Sequence, residues 1–216
     1  MEMSETTLSA ALKYFLLSAL STGLLFLGIL FIYIYSGSTQ YDSISTLITY
    51  DSMDKFLNIG SVLIMGSLLL KLAAAPMHNY AIDLYDALPQ NIAMYMMIIP
   101  KLSVLTLLYI LASMGFFINL NILTFSAILS LIIGSLGLIS QLKIKRFFAY
   151  SGLNHLGFIL LAFYCNDMTS FFSYQVIYAT SLTTIFLMLI CFSGSKDRMD
   201  LHFINQLAGF YRINPL

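Results

Sequence analysis

Residues Lys71–Lys101 read KLAAAPMHNYAIDLYDALPQNIAMYMMIIPK. The stretch begins near the end of one apolar run, passes through a short polar connection and ends inside the next run. Lys71 and Lys101 therefore stand deep within apolar sequence. Each costs about 2.5–3.5 kcal/mol at a helix centre, even on the lenient insertion scale. Their placement is symmetric, because Asp86 in the connecting turn is fifteen residues from each. At about 1.5 Å of rise per residue, both ammonium groups should reach a similar depth, roughly 20 Å from the turn. A proline marks each place. Pro76 cannot donate to the carbonyl of Leu72, beside Lys71, and Pro100 leaves the carbonyl of Met96 without its donor, one turn before Lys101. At membrane depth such carbonyls need protein or water to satisfy them.

Ser67, Lys71, Ala74 and His78 follow i, i+4, i+7, i+11 spacing and so predict one small or polar helix face that would admit water. Two basic groups at one depth on adjacent helices, each beside a helix-breaking proline, predict stations on a path parallel to the membrane plane. Desolvation disfavours the charged form of lysine, which suits a group that must release and regain a proton. The structural alternative is that both lysines pair with carboxylates and lock helices together.

The rest of the chain supplies the membrane. Of its 216 residues, 59% are hydrophobic and 9% charged, and the mean hydropathy is +0.87. Soluble domains carry roughly 25% charged residues, so this is the composition of a membrane protein. Ten basic and ten acidic residues cancel, which gives no reason to expect a nucleic-acid partner. A crossing needs about 20 apolar residues, and six stretches qualify: 11–35, 56–76, 90–113, 118–140, 147–165 and 170–192. The expected fold class is an all-α polytopic membrane protein, one domain over 1–216, with a Pro-broken helix near Lys71 and a tail at 194–216. Connections are short, which predicts antiparallel neighbours, and the longest, 36–55, reads as a surface loop. No low-complexity tract or convincing internal repeat is visible.

Six spans put both ends on one side, with the loops 81–89 and 141–146. That side receives seven basic residues: Lys13, Lys143, Lys145, Arg146, Lys196, Arg198 and Arg212. The other side has Lys55. The positive-inside rule then places both termini in the matrix, or in the cytoplasm of a bacterium. Met1–Thr7 is polar and acidic and resembles neither a secretory signal nor an Arg-rich transit peptide. This would suit synthesis inside the organelle that uses the chain, although a bacterial inner-membrane protein would look the same. Cys165 and Cys191 are expected near opposite membrane faces, too far apart for a disulfide, and no cysteine cluster suits an iron–sulfur centre.

The stretch 71–101 resembles the core signature of the antiporter-like subunits of respiratory complex I, and most of all the second of them. The matching elements are Lys71, Pro76, His78, Asp83, Tyr85, Pro89 and Lys101. Leu12–Ser21 (LKYFLLSALS), Lys145–Gly157 (KRFFAYSGLNHLG) and Gln206–Pro215 (QLAGFYRINP) resemble further segments of that family. The resemblance runs almost end to end, over family helices six to eleven, and implies part of an antiporter-like inverted-repeat fold. Two departures matter. The family's path begins with a glutamate on its fifth helix and ends with a lysine on its twelfth, and neither helix falls within this sequence. Glu2 and Glu5 precede the first span and cannot stand in. A split gene whose sister chains supply the rest is the expectation, with a reduced, partly vestigial subunit as the alternative.

The resemblance implies a subunit of proton-pumping NADH:ubiquinone oxidoreductase in the mitochondrial inner membrane. Lys71 and Lys101 would relay protons, supported by Ser67, Pro76, His78, Pro100, Ser151 and His155. His155, one turn after Ser151, is read equally as a wetted relay group or as a bundle hydrogen-bonding residue, because histidine titrates near neutrality. His78 reads as positional and His202 as a surface residue. Asp83 and Asp86 read as solvated loop carboxylates, with capping or orienting the matrix-side turn as the alternative. Lys143, Lys145 and Arg146 read as a topology signal that also suits anionic headgroups. No NADH, flavin or quinone motif is visible, so no cofactor is expected in this chain. Expected partners are other membrane-arm subunits, including those carrying the missing glutamate and lysine helices, and lipid. The rivals are a structural membrane subunit with an interrupted path, a cation/proton antiporter piece, or the plastid homologue.

Overall fold

The computed structural model describes residues 5–50, 55–116, 120–195 and 202–207. Their order is α1 (Glu5–Ser36), α2 (Tyr41–Tyr50), α3 (Lys55–Leu72), α4 (Asn79–Ala87), α5 (Gln90–Ser113), α6 (Asn121–Ile139), α7 (Ile144–Tyr164) and α8 (Met168–Ser195), then a 3₁₀ turn at Ile204–Leu207. All except α2, α4 and the turn are long and apolar enough to cross a membrane, which gives six candidate spans. Among the described residues there is no β-strand, only an isolated bridge between Lys143 and Phe203. Within the tail, residues 196–201 and 208–216 lie outside the described residues. So do Glu2, Lys196, Arg198, Arg212, most of the 206–215 segment and the expected first residue of the fourth span, 118.

Two helix pairs form by close backbone approach. A Cβ on Gly28 of α1 would lie 2.9 Å from the Gly60 carbonyl, and one on Gly60 would lie 2.9 Å from the Gly28 carbonyl. On the other side of the bundle, Gly134 of α6 faces the backbone of Asn154, and Gly157 of α7 faces Ser130 and Leu131. Small residues are the usual means of such packing in lipid, where apolar side chains gain little by meeting each other. The contact between Lys13 and Asp83 extends the same antiparallel register, so α1 runs along α3 and, past its end, along α4. α5 and α8 are also antiparallel: Tyr109 stacks on Phe171 at one end, and Tyr178 reaches Met97 nearer the other.

One core cluster gathers Leu68, Leu72, Leu105, Leu108, Leu156 and Phe171 among others. A second, around Ala81, Tyr85, Met97, Tyr178 and Phe186, forms where α4, α5, α7 and α8 meet. Much of α1 is bare: Phe15, Leu16, Phe26 and Ile34 are each at least 60% exposed, a surface suited to lipid or neighbouring helices.

Three expectations need correction. The 36–55 connection is not only a loop. Tyr41–Tyr50 forms a helix whose Ile44 and Ile48, one turn apart, enter the main core. The second span stops at Leu72 rather than at residue 76, so Pro76 lies beyond the helix and does not break it. The 81–89 segment is largely helical, as α4.

Replacing Gly60 by Ala should destabilise the α1–α3 pair, by about 1–3 kcal/mol on the usual scale for overpacking. Gly66→Ala is the control, because a Cβ there meets nothing within 4 Å. Thermal unfolding of the native assembly in mild detergent should show a lower midpoint for the first variant alone.

Candidate functional site

The helix break at Lys71 is made by backbone closure. Ala73 adopts φ 55°, its N–H donates to the Leu70 carbonyl at 3.0 Å, and the Ala74 N–H donates to Leu69 at 3.0 Å. This is the Schellman arrangement, here with alanine where glycine is commonest. The Tyr80 hydroxyl, from α4, reaches back over the break and donates to the Leu70 carbonyl at 2.5 Å. Lys71 is in the last turn of α3, where the negative end of the helix dipole favours a cation. Its side chain is exposed on the flank of the bundle.

Lys101 is different: it is 6% exposed, on α5 immediately after Pro100. Its Nζ sits 5.7 Å from the centroid of the Tyr85 ring, a cation–π arrangement. It also fills the space beside Gly152 of α7, where a Cβ would meet Tyr178 Oη at 3.0 Å and Lys101 Nζ at 3.4 Å. The Tyr178 hydroxyl donates to the Met97 carbonyl at 3.4 Å, one turn before Lys101.

Lys71 and Lys101 line one cavity of about 50 Å³, together with Tyr14, Tyr80, Tyr85 and Pro100. That is room enough for water. Among the described residues, neither lysine takes part in an ion pair. The alternative in which carboxylates of this chain lock both lysines therefore finds no partner there.

The other predicted residues divide. His155 Nδ1 is 2.9 Å from the Tyr174 hydroxyl, and its ring lies 5.6 Å from that of Tyr178, so it faces the Lys101 region. Ser151 is half-buried on α7, beside Gly152. Ser67 is fully buried, but its hydroxyl donates to its own helix at the Ile64 carbonyl, 2.7 Å away. His78 is buried, 3.1 Å from the Pro76 carbonyl through Nδ1. It follows the break, so the single helical face expected from Ser67 to His78 does not exist. Sequence reasoning missed Gly152, Tyr174, Tyr178 and Tyr80, because tyrosine and glycine in an apolar run read as packing residues.

Asp83 and Asp86 are not solvated loop carboxylates. Lys13 Nζ lies 2.6 Å from Asp83, Lys143 Nζ 2.8 Å from Asp86, and Arg146 Nε 2.9 Å from Asp86, with Arg146 also reaching Asp83 at 3.5 Å. Lys145 donates to the Leu88 carbonyl at 2.5 Å. These contacts tie α1, α4 and the start of α7 around a cavity of about 320 Å³ that His202 also lines. Burial raises the Asp86 carboxyl, but the hydrogen bonds and charges of Lys143 and Arg146 outweigh it and hold it below the usual carboxylate range.

A broken helix with a lysine at the break, and a second lysine behind a proline on the next membrane-spanning helix, belong to a polytopic membrane subunit of the antiporter type. The chain is a member of the NADH:quinone oxidoreductase/Mrp antiporter transmembrane family, whose model matches residues 1–216. NADH-ubiquinone oxidoreductase chain 2 of Rhizopus oryzae is 37% identical over 228 residues, covering 99% of this chain and 43% of that protein. NADH-quinone oxidoreductase subunit N of Hydrogenovibrio crunogenus is 30% identical, covering 98% and 46%. Within the family the chain is thus of the chain 2/subunit N type. A chain of respiratory complex I from Thermus thermophilus with bound aureothin superposes with a TM-score of 0.81 at 26% identity, covering 98% of this chain and 46% of that one. A chain of the Mrp complex from Dietzia gives 0.75 at 19% identity over 85% and 35%, and shares the fold. The chain spans about half the length of the curated relatives it matches.

The Asp86 interlock should be acid-labile. Its folded pKa is lowered, so its stabilisation is present above the unfolded carboxylate value, about 3.9, and is lost as pH falls through the folded one. Protease access to the 140–143 connection should rise below about pH 4. Asp86→Asn should open it already at neutral pH.

Proposed function

We propose that this chain carries protons laterally through the membrane arm of a proton-pumping NADH:quinone oxidoreductase, with Lys71 and Lys101 as successive stations. The observation that carries the reading is the cavity that Lys71 and Lys101 both line. Lys71, exposed on the flank, receives its proton from a carboxylate on a helix outside this sequence. It passes the proton through the cavity to Lys101, behind the tyrosine rings. Lys101 hands on towards α7, where His155 faces it, and from there to a lysine on a further segment. Quinone reduction elsewhere in the assembly supplies the energy, transmitted by rearranged charge pairs.

On this reading the chain holds no redox centre and no NADH site of its own. It sits in the mitochondrial inner membrane beside other membrane-arm subunits and lipid, with both termini in the matrix. The excess of Lys and Arg on that side supports the orientation.

Lys71→Met and Lys101→Met should each lower the protons moved per NADH oxidised while the assembly still forms. The check is proton uptake by native membrane vesicles, normalised to assembled complex on non-denaturing gels. Assembly failure with normal pumping in the complex that does form would mean that the lysines are structural, and that the chain is a membrane spacer with an interrupted path.

A further inference from the structure

We propose that the Tyr178 hydroxyl carries the proton between Lys101 and His155, and that Gly152 is the aperture that keeps this link open. The inference deepens the lateral relay and rests on it. The starting point is the space beside Gly152. Lys101 Nζ from α5 and Tyr178 Oη from α8 both come within 3.4 Å of the position a Cβ would take there. Two helices thus insert polar groups into a slot that the third leaves vacant, and any side chain on α7 at this point would enter it. His155 stands one turn along α7 from Gly152, on the same side, with its ring against that of Tyr178.

The alternative link is Tyr85, and its geometry is wrong for the task. Lys101 lies over the face of the Tyr85 ring, which stabilises the charge but offers it no oxygen. Nor is Tyr178 a convincing structural tie, because its bond to the Met97 carbonyl is long at 3.4 Å. The neighbouring turn of α8 supplies a second observation. Gln175 lies three residues before Tyr178, is 4% exposed, and its Nε2 has no hydrogen-bond partner among the described residues. An unpaired buried amide group is disfavoured by about 1–3 kcal/mol. Packing alone gives no reason to place one beside Tyr178, whereas a polar passage does.

The transfer balances. The phenol oxygen accepts a proton from the Lys101 ammonium while its own hydroxyl proton passes to His155. Lys101 becomes the neutral amine, His155 becomes imidazolium, and Tyr178 remains a neutral phenol throughout. Nδ1 of His155 is engaged with the Tyr174 hydroxyl at 2.9 Å, which leaves Nε2 as the nitrogen to take the proton in the tautomer whose Nδ1 donates. Rotation of the Tyr178 hydroxyl restores the starting state.

The test compares Tyr178→Phe, Gly152→Ala and Lys101→Met in native membrane vesicles carrying the full assembly. Protons moved per NADH oxidised are read per assembled complex. Lys101→Met defines the pumping that depends on the relay. Tyr178→Phe keeps the ring and removes the hydroxyl, and should lose roughly fivefold of that pumping, the factor that goes with one hydrogen-bonded link. Gly152→Ala keeps the hydroxyl and obstructs the slot, and should show a loss of the same kind. If Lys101→Met pumps normally, the relay itself is wrong. If Lys101→Met loses pumping but Tyr178→Phe keeps it, the relay stands and this link is refuted. Should Tyr178→Phe assemble too poorly to read, Gly152→Ala decides, and normal pumping there refutes the link.

Discussion

The ammonium of Lys101 has to be housed among apolar helices, and the described residues around it do so without a carboxylate paired to it. The Tyr85 ring on α4 covers one side. Gly152 on α7 withholds a side chain, so that the charge and the Tyr178 hydroxyl both fit. Pro100, immediately before the lysine, removes a backbone donor from the same turn. Charge burial this deep is disfavoured unless polar or π groups replace water, and four helices contribute to the replacement. The second core cluster, which contains Tyr85, Met97 and Tyr178, is the shell that this requirement builds.

The break at Lys71 follows a related logic at the edge of the bundle. Ending α3 at Leu72 leaves carbonyls that would otherwise be orphaned, and the closure at Ala73–Ala74 and the Tyr80 hydroxyl satisfy two of them. α4 is then free to depart, and its acidic residues are clamped by Lys13, Lys143 and Arg146. The clamp sets where α4 lies, and α4 in turn sets where Tyr80 and Tyr85 stand relative to the two lysines. A surface ion-pair cluster and a buried cation are linked through nine residues of helix.

Much of this was legible in the sequence, for a physical reason. Apolar runs of about 20 residues have few alternatives to crossing a membrane, and lysines within them are conspicuous. The spans were therefore readable, and six spanning helices are found; Lys71 and Lys101 line one cavity. What failed was reasoning from one residue to its local geometry. Pro76 reads as a helix breaker, but the helix has already ended at Leu72, closed by the left-handed Ala73 that sequence patterns do not announce. Asp83 and Asp86 read as solvated because their partners lie 57 to 70 residues away. Tyr178 and Gly152 carry no signal, since their role exists only where three helices converge. The i, i+4 pair Ile44 and Ile48 is a helix signal within the 36–55 connection, visible as such only once both enter the core.

The central claim is that Lys71, Lys101 and His155 lie on one wet polar line rather than in separate dry pockets. A density map of the native assembly, at a resolution that shows ordered water, tests it most directly. Water is expected in the cavity between Lys71 and Lys101, with hydrogen-bonded contact from Lys101 through Tyr178 to His155. Apolar side chains filling the cavity, or a dry gap between the two lysines too wide for a hydrogen bond, would contradict it.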